Sequence, residues 1–155
     1  MMKKKDGILF LVICLIIIAC LGVYIAYHNK QTGVEISKAC FGQQCFNIEI
    51  AQTNVERQTG LMFREGLCNN CGMLFMFEQP NIYRFWMKNT LIHLDMIWID
   101  ENKTIVYIKE YAQPCATENC ESFTPDKEAK YVLEINAGLI QEYNMMLGDK
   151  VTFED

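Results

Sequence analysis

The sequence predicts a mainly β domain of the α+β class. The expected form is a compact antiparallel sheet or small barrel-like domain with two short helices, behind one N-terminal transmembrane helix. Three observations point there. Segments of strand length, rich in branched and aromatic residues, follow one another with no long helical stretch between them, the pattern of antiparallel sheets. Six of the eight cysteines fall after the N-terminal apolar run, in three close pairs. The run itself, from Gly7 to Tyr27, holds 21 residues and no charge.

Lys3, Lys4 and Lys5 precede that run. As a helix it would extend about 31 Å, enough for a bilayer core of about 30 Å. Basic residues on its N-terminal side favour a cytoplasmic N-terminus, a single pass and export of everything after His28. Ile17-Ile18-Ala19-Cys20 also fits a lipobox, with the protein then anchored as a lipoprotein at Cys20. The apolar stretch Leu21–Tyr27 favours the uncleaved anchor, because a lipidated cysteine is usually followed by a polar tether. The expected organisation is a cytoplasmic stub and anchor over 1–28, a linker over 29–33 and an extracytoplasmic domain over 34–155.

Within the domain, Val34–Cys40 and Cys45–Ala51 read as a hairpin turning at Phe41-Gly42-Gln43-Gln44. Thr53-Asn54-Val55-Glu56 is a capping box, so a short helix should follow and end near Gly60 or Leu61. Met73–Phe77, Tyr83–Asn89, Leu91–Asp100 and Thr104–Tyr111 have strand length and composition. The second and third of these are expected to lie side by side, bending at Thr90–Leu91 so that Lys88 faces Asp95. Ala112–Ala129 reads as a long loop, Lys130–Asn136 as a strand, Ala137–Met146 as a short helix and Lys150–Phe153 as a last strand.

Past His28 there are 11 Lys and Arg against 18 Asp and Glu, a net charge of −7, with no basic stripe. That excludes nucleic acid as an expected partner. The membrane is expected to be met through the N-terminal helix alone, leaving an unknown small molecule or membrane-protein partner for the domain. Outside the cytosol the cysteine pairs read as the disulfides Cys40–Cys45, Cys68–Cys71 and Cys115–Cys120. Cys68 and Cys71 also have the spacing of a redox dithiol, and with Cys115 and Cys120 they could hold zinc. Compartment favours disulfides over both, so no metal and no cofactor are expected.

Polar residues interrupt the apolar pattern of Tyr83–Asp100, and burying them requires partners. Trp86, Lys88, Asn89, Thr90 and Asp95 are therefore candidates for a ligand site. Arg57 and Arg64 flank the Gly60-Leu61-Met62-Phe63 knuckle and suit a carboxylate or phosphate. The two arginines could equally be helix-end charges that form salt bridges to Asp95 or to Glu134 of the Lys130–Asn136 strand. His93 is the one histidine past the membrane boundary, which excludes multi-histidine metal sites. A general base at His93 oriented by Asp95 lacks a convincing nucleophile.

Several blocks are recognisable together: Arg57-x-x-Gly60-Leu61-Met62-Phe63-Arg64, Gly72-Met73-Leu74-Phe75-x-Phe77 and Phe85-Trp86-Met87-Lys88-Asn89-Thr90-Leu91-Ile92-x-Leu94-Asp95. Ala112-Gln113-Pro114-Cys115, Tyr131-Val132-Leu133-Glu134-x-Asn136-Ala137-Gly138 and Gly148-Asp149 continue them in order. This resembles the signature of the bacterial and archaeal family known as domain of unknown function 192, over about Val34 to Phe153. The resemblance implies a compact, mainly β domain, often behind a signal peptide or single anchor, and no established activity. A shared chemical role would fall on Arg57, Arg64, Lys88, Asn89, Thr90, Asp95 and Glu134. Two departures stand out. Cys68–Cys71 replaces an acidic, proline-containing segment, and His93 stands where proline is common.

The functional expectation is a membrane-anchored extracytoplasmic domain that binds a small polar ligand or a partner protein, with binding favoured over catalysis. The alternative is an enzyme at the cell surface, either a thiol–disulfide oxidoreductase at Cys68/Cys71 or a hydrolase-like site on Lys88 and Asp95. The anchor is tested by Cys20→Ser. The substituted protein should keep its size and its membrane fraction, whereas a diacylglyceryl-cysteine N-terminus on the native protein contradicts the uncleaved helix.

Overall fold

A computed structural model describes residues 13–22, 36–117 and 119–155. The chain divides into two units, Met1–Glu35 and Ile36–Asp155. In the first, residues 13–22 form helix α1. Among the described residues no helix is long and apolar enough to cross a membrane. The remainder of the expected Gly7–Tyr27 span, and the linker after it, lie outside the described residues.

The second unit opens with β1 (Lys38–Phe41) and β2 (Gln44–Ala51), paired as a hairpin with Cys40 opposite Cys45. Gly42 supplies the left-handed backbone of the two-residue turn, at φ 60°. Helix α2 (Asn54–Thr59) begins at the expected capping box. Glu56 N–H donates to Thr53 Oγ1 at 3.2 Å, and Thr53 N–H donates to the Glu56 carboxylate at 2.8 Å. α2 is the crossover to β3 (Cys71–Asn81), which lies parallel to β2. The sheet is dominated by antiparallel pairs as expected, and β2–β3 is a parallel exception for which the α2 segment makes room.

β4 (Phe85–Trp86), β5 (Leu94–Ile99), β6 (Ile105–Ala112), β7 (Ser122–Phe123) and β8 (Ala129–Asn136) follow. Helix α3 (Leu139–Glu142) and β9 (Thr152–Glu154) close the chain. The main sheet has the order β6-β5-β8-β3-β2-β1-β9, and β4 pairs with β7 in a small second sheet. Hydrogen bonds from Ile105 N–H to Asp149 O, from Gly148 N–H to Ile105 O and from Val151 N–H to Lys103 O join the start of β6 to the lead-in of β9. The two edges thus meet at one end, and the sheet curls into a partly closed barrel, which protects edges that would otherwise be exposed.

Both faces of the sheet are apolar. Phe46, Leu74, Ile97, Leu133 and Ile135 pack with Ile140 of α3 on one side. Met73, Phe75, Met96, Trp98 and Val132 form the other, beneath Leu61, Met87 and Phe123. The alternation of neighbours between these groups is the period of two expected of strands.

Two expectations about the aromatic stretch fail. Tyr83–Asn89 and Leu91–Asp100 are not neighbouring strands, since β4 pairs with β7 while β5 lies between β6 and β8. Thr90 N–H donates to Met87 O at 3.0 Å, Asn89 takes φ 56°, and Lys88 and Thr90 both bridge to Cys115. A turn and a bridge to a distant loop replace the bend. The expected Ala112–Ala129 loop accordingly contains β7. Nor does Lys88 face Asp95, which alternates onto the Ile97 side of the sheet.

Asp95 is an architectural node, 1% exposed. Its Oδ1 accepts from Tyr111 N–H at 2.8 Å, and its Oδ2 accepts from Gly138 N–H at 2.9 Å and Ile140 N–H at 3.0 Å. One carboxylate therefore joins β5, the end of β6 and the start of α3. Asp95→Ala leaves three amide donors without this acceptor and should cost about 3–5 kcal/mol of stability, read by urea unfolding. A change under about 1 kcal/mol contradicts the role.

Candidate functional site

Glu134 sits mid-way along β8, with Met73 of β3 and Met96 of β5 as its cross-strand neighbours. The approach of β3 is close. A Cβ on Gly72 would lie 2.8 Å from the Glu134 carbonyl oxygen, so the position admits only glycine without a shift of backbone. Glu134 is 5% exposed, and burial raises its carboxyl pKa from 4.5 to about 8. The acid is therefore mostly protonated at neutral pH.

A cavity of about 220 Å³ opens above it. Phe75 and Phe77 of β3 and Tyr83, Phe85 and Trp86 around β4 provide its aromatic walls. Phe75 meets Phe85 edge-on at 4.8 Å between centroids, and Phe77 stacks on Tyr83 at 3.5 Å. Trp98 supports the wall from the sheet, donating its indole N–H to Tyr83 O at 2.8 Å and meeting Phe85 edge-on at 5.5 Å.

The opposite side comes from α2. Arg57 Nη1 donates to the carbonyls of Gln52 and Met76, and Nη2 donates to Asn54 Oδ1 at 2.6 Å. The guanidinium lies 5.1 Å from the Phe77 ring centroid. Gly60 ends the helix at φ 47°, where an added Cβ would come within 3.1 Å of Phe75. Lys88 and Thr90 complete the lining, with the Lys88 ammonium 5.7 Å from the Trp86 ring centroid.

Five of the eight candidate ligand residues line this cavity: Arg57, Trp86, Lys88, Thr90 and Glu134. Three do not. Arg64 makes a two-armed ion pair with Glu49 at 2.5 and 2.6 Å, which holds the Glu49 carboxyl below its usual range. Asn89 is engaged through its backbone, donating to Cys115 O and accepting from Phe63 N–H, each at 2.8 Å. Asp95 is occupied by its three amides on the other face. Of the lining residues, Phe75, Phe77, Tyr83, Phe85 and Arg84 escaped the sequence reading, whereas Trp86 did not. Phe75-x-Phe77 and Tyr83-x-Phe85 carried the signal, a period of two that sets each pair on one face.

The six cysteines are joined as Cys40–Cys45, Cys68–Cys71 and Cys115–Cys120. Cys71 starts β3, so the C-x-x-C pair precedes a strand and lacks the helix that lowers a thiol pKa in a redox dithiol. Among the described residues Cys68, Cys71, Cys115 and Cys120 do not gather into a metal site. The potential ligand atoms that do converge belong to Cys40, Cys45 and Glu154, and both sulfurs there are in a disulfide. His93 is exposed, with Nε2 3.1 Å from Gln113 Oε1. The general-base reading fails because Asp95 is bonded elsewhere.

The DUF192 family profile, described as an uncharacterized ACR, matches residues 36–153. This chain belongs to the DUF192 family. It is similar to a UPF0127 protein of Pyrococcus abyssi, 32% identical over 111 residues, covering 67% of this chain and 83% of that one. A UPF0127 protein of Thermococcus gammatolerans is 27% identical over 113 residues, covering 70% of this chain and 67% of its own length. Among solved structures, a protein of unknown function from Novosphingobium aromaticivorans superimposes with TM-score 0.69 at 32% identity. That match covers 79% of this chain and 88% of the other.

In this DUF192 domain the raised pKa of Glu134 makes stability depend on pH. Because the folded-state value lies above 4.5, the group's contribution is complete below about 4.5 and is lost as pH rises through about 8. Across that window the protein should lose up to about 1.4 kcal/mol per pH unit from this group. Glu134→Gln should flatten the slope in urea unfolding measured across the window. Parallel curves for the two proteins contradict the assignment.

Proposed function

We propose that this DUF192 protein is a membrane-anchored extracytoplasmic domain that holds a small polar ligand in the cavity over Glu134. The buried, protonatable carboxyl of Glu134 at the floor of an aromatic-walled cavity carries the reading. Burying an acid costs a fold several kcal/mol unless its charge is suppressed or partnered, so such a group points to a site rather than to packing. At about 220 Å³ the cavity falls below the roughly 300–1,000 Å³ of drug-sized sites and suits a smaller molecule. Lys3–Lys5, the charge-free Gly7–Tyr27 run and the three cysteine pairs support the anchored, exported location.

Binding is preferred to catalysis because neither enzymatic constellation is assembled. Cys68–Cys71 stands before a strand, and Lys88 and Asp95 are separated by the sheet. Thr90, 6% exposed, lines the same cavity and offers a hydroxyl to a polar group there.

A ligand-detected NMR screen of small polar fragments tests the reading. Fragments should share one saturable site and lose about tenfold or more of their affinity in Glu134→Leu, which removes the donor that Gln would preserve, and in Trp86→Ala. Trp86 is 49% exposed, so its truncation should leave the fold intact. Fragments that bind both variants as well as the native protein contradict the site.

A further inference from the structure

The charges around the cavity are unequal. Arg57, Arg84 and Lys88 are basic, and Glu134 is the one acidic group among the described lining residues. Arg57 is fixed by backbone carbonyls and Asn54, and Arg84 is exposed. Among the described residues neither arginine forms an ion pair. Glu134 does not offset them at neutral pH, since its carboxyl is held protonated by burial. Tyr83 is the other titratable group of the lining, with its pKa raised from 10.0 by burial, so it too is uncharged. The strands beside β8 present Met73 and Met96 to Glu134, adding no charge. A cationic ligand would meet the like charges of Arg57 and Arg84 in a partly desolvated space, whereas an anion would find them favourable.

We propose that the cavity binds a small organic anion, with a flat or apolar body between the aromatic walls and its carboxylate turned to the basic residues at the mouth. The proposal rests on the ligand-binding reading above. It assigns Glu134 the role of a hydrogen-bond donor to the ligand's inner end, available while its carboxyl is protonated. Arg84 is an anion-contacting residue. Phe77 and Tyr83, already stacked, form a platform for a ring.

Three probes share a phenyl ring and differ in charge: benzoate, benzylammonium and benzyl alcohol. Each is titrated into the full chain in detergent at about pH 6, where Glu134 is protonated and benzoate is ionised. Benzoate should bind at least about tenfold more tightly than benzylammonium. Arg84→Gln should weaken benzoate while leaving benzyl alcohol unchanged, and Trp86→Ala should weaken both. Benzylammonium binding as well as or better than benzoate, in a manner sensitive to Trp86→Ala, overturns the anion assignment and leaves the cavity reading standing. Benzoate binding indifferent to both substitutions overturns the assignment as surface association. Failure of all three probes counts against the cavity as a ligand site altogether.

Discussion

Strand β8 lies between β3 and β5, with an apolar layer on each face of the sheet, and the state of Glu134 depends on that position. A carboxyl at an edge strand would be solvated and charged. In the middle of this sheet it is desolvated, and desolvation disfavours the ionised form. The close passage of Gly72 over the Glu134 carbonyl keeps β3 tight against β8, and Met73 and Met96 seal the flanks. Only the direction away from the sheet is open. There the cavity begins, walled by rings that the Trp98 indole ties back to the core through Tyr83.

Two buried acids divide the work of the domain between the faces of one sheet. Asp95 spends its oxygens on three backbone amides and thereby locks β5, β6 and α3 together. Glu134, among apolar neighbours on the other face, bears on the cavity. The arginines divide in the same way. Arg64 is drawn to Glu49 and secures the end of the α2 segment, while Arg57 is braced by carbonyls against Phe77 and leaves its charge at the cavity. Which acid ties the strands together and which faces the cavity follows from partners and not from burial, since both are almost wholly enclosed.

Much of this was legible in the residues. The Thr53–Glu56 capping box, the alternating residues of β2 and β8 and the paired cysteines are local signals, and the structure places those elements within a few residues of the expected bounds. The candidate list reached Glu134, Trp86, Lys88, Thr90 and Arg57, all of which line one cavity. What escaped depends on contacts distant in sequence. The pairing of Phe85 with Phe123 and the bridge from Lys88 to Cys115 cross about the same loop, which carries no periodic pattern. The parallel β2–β3 pair was missed because strand direction is set by the crossover and not by composition. Asp95 looked like a partner for Lys88 because strand alternation decides its face only once the turn at Met87–Thr90 is known.

The central claim is that burial beneath the cavity keeps Glu134 protonated at neutral pH. Carboxyl-carbon NMR of protein labelled at glutamate, with Glu134→Gln to assign the resonance, follows that ionisation directly. The account predicts a titration midpoint near 8, far from the ordinary carboxyl value of 4.5. A midpoint near 4.5 would show a solvated, charged acid and would contradict both the buried floor and the site built upon it.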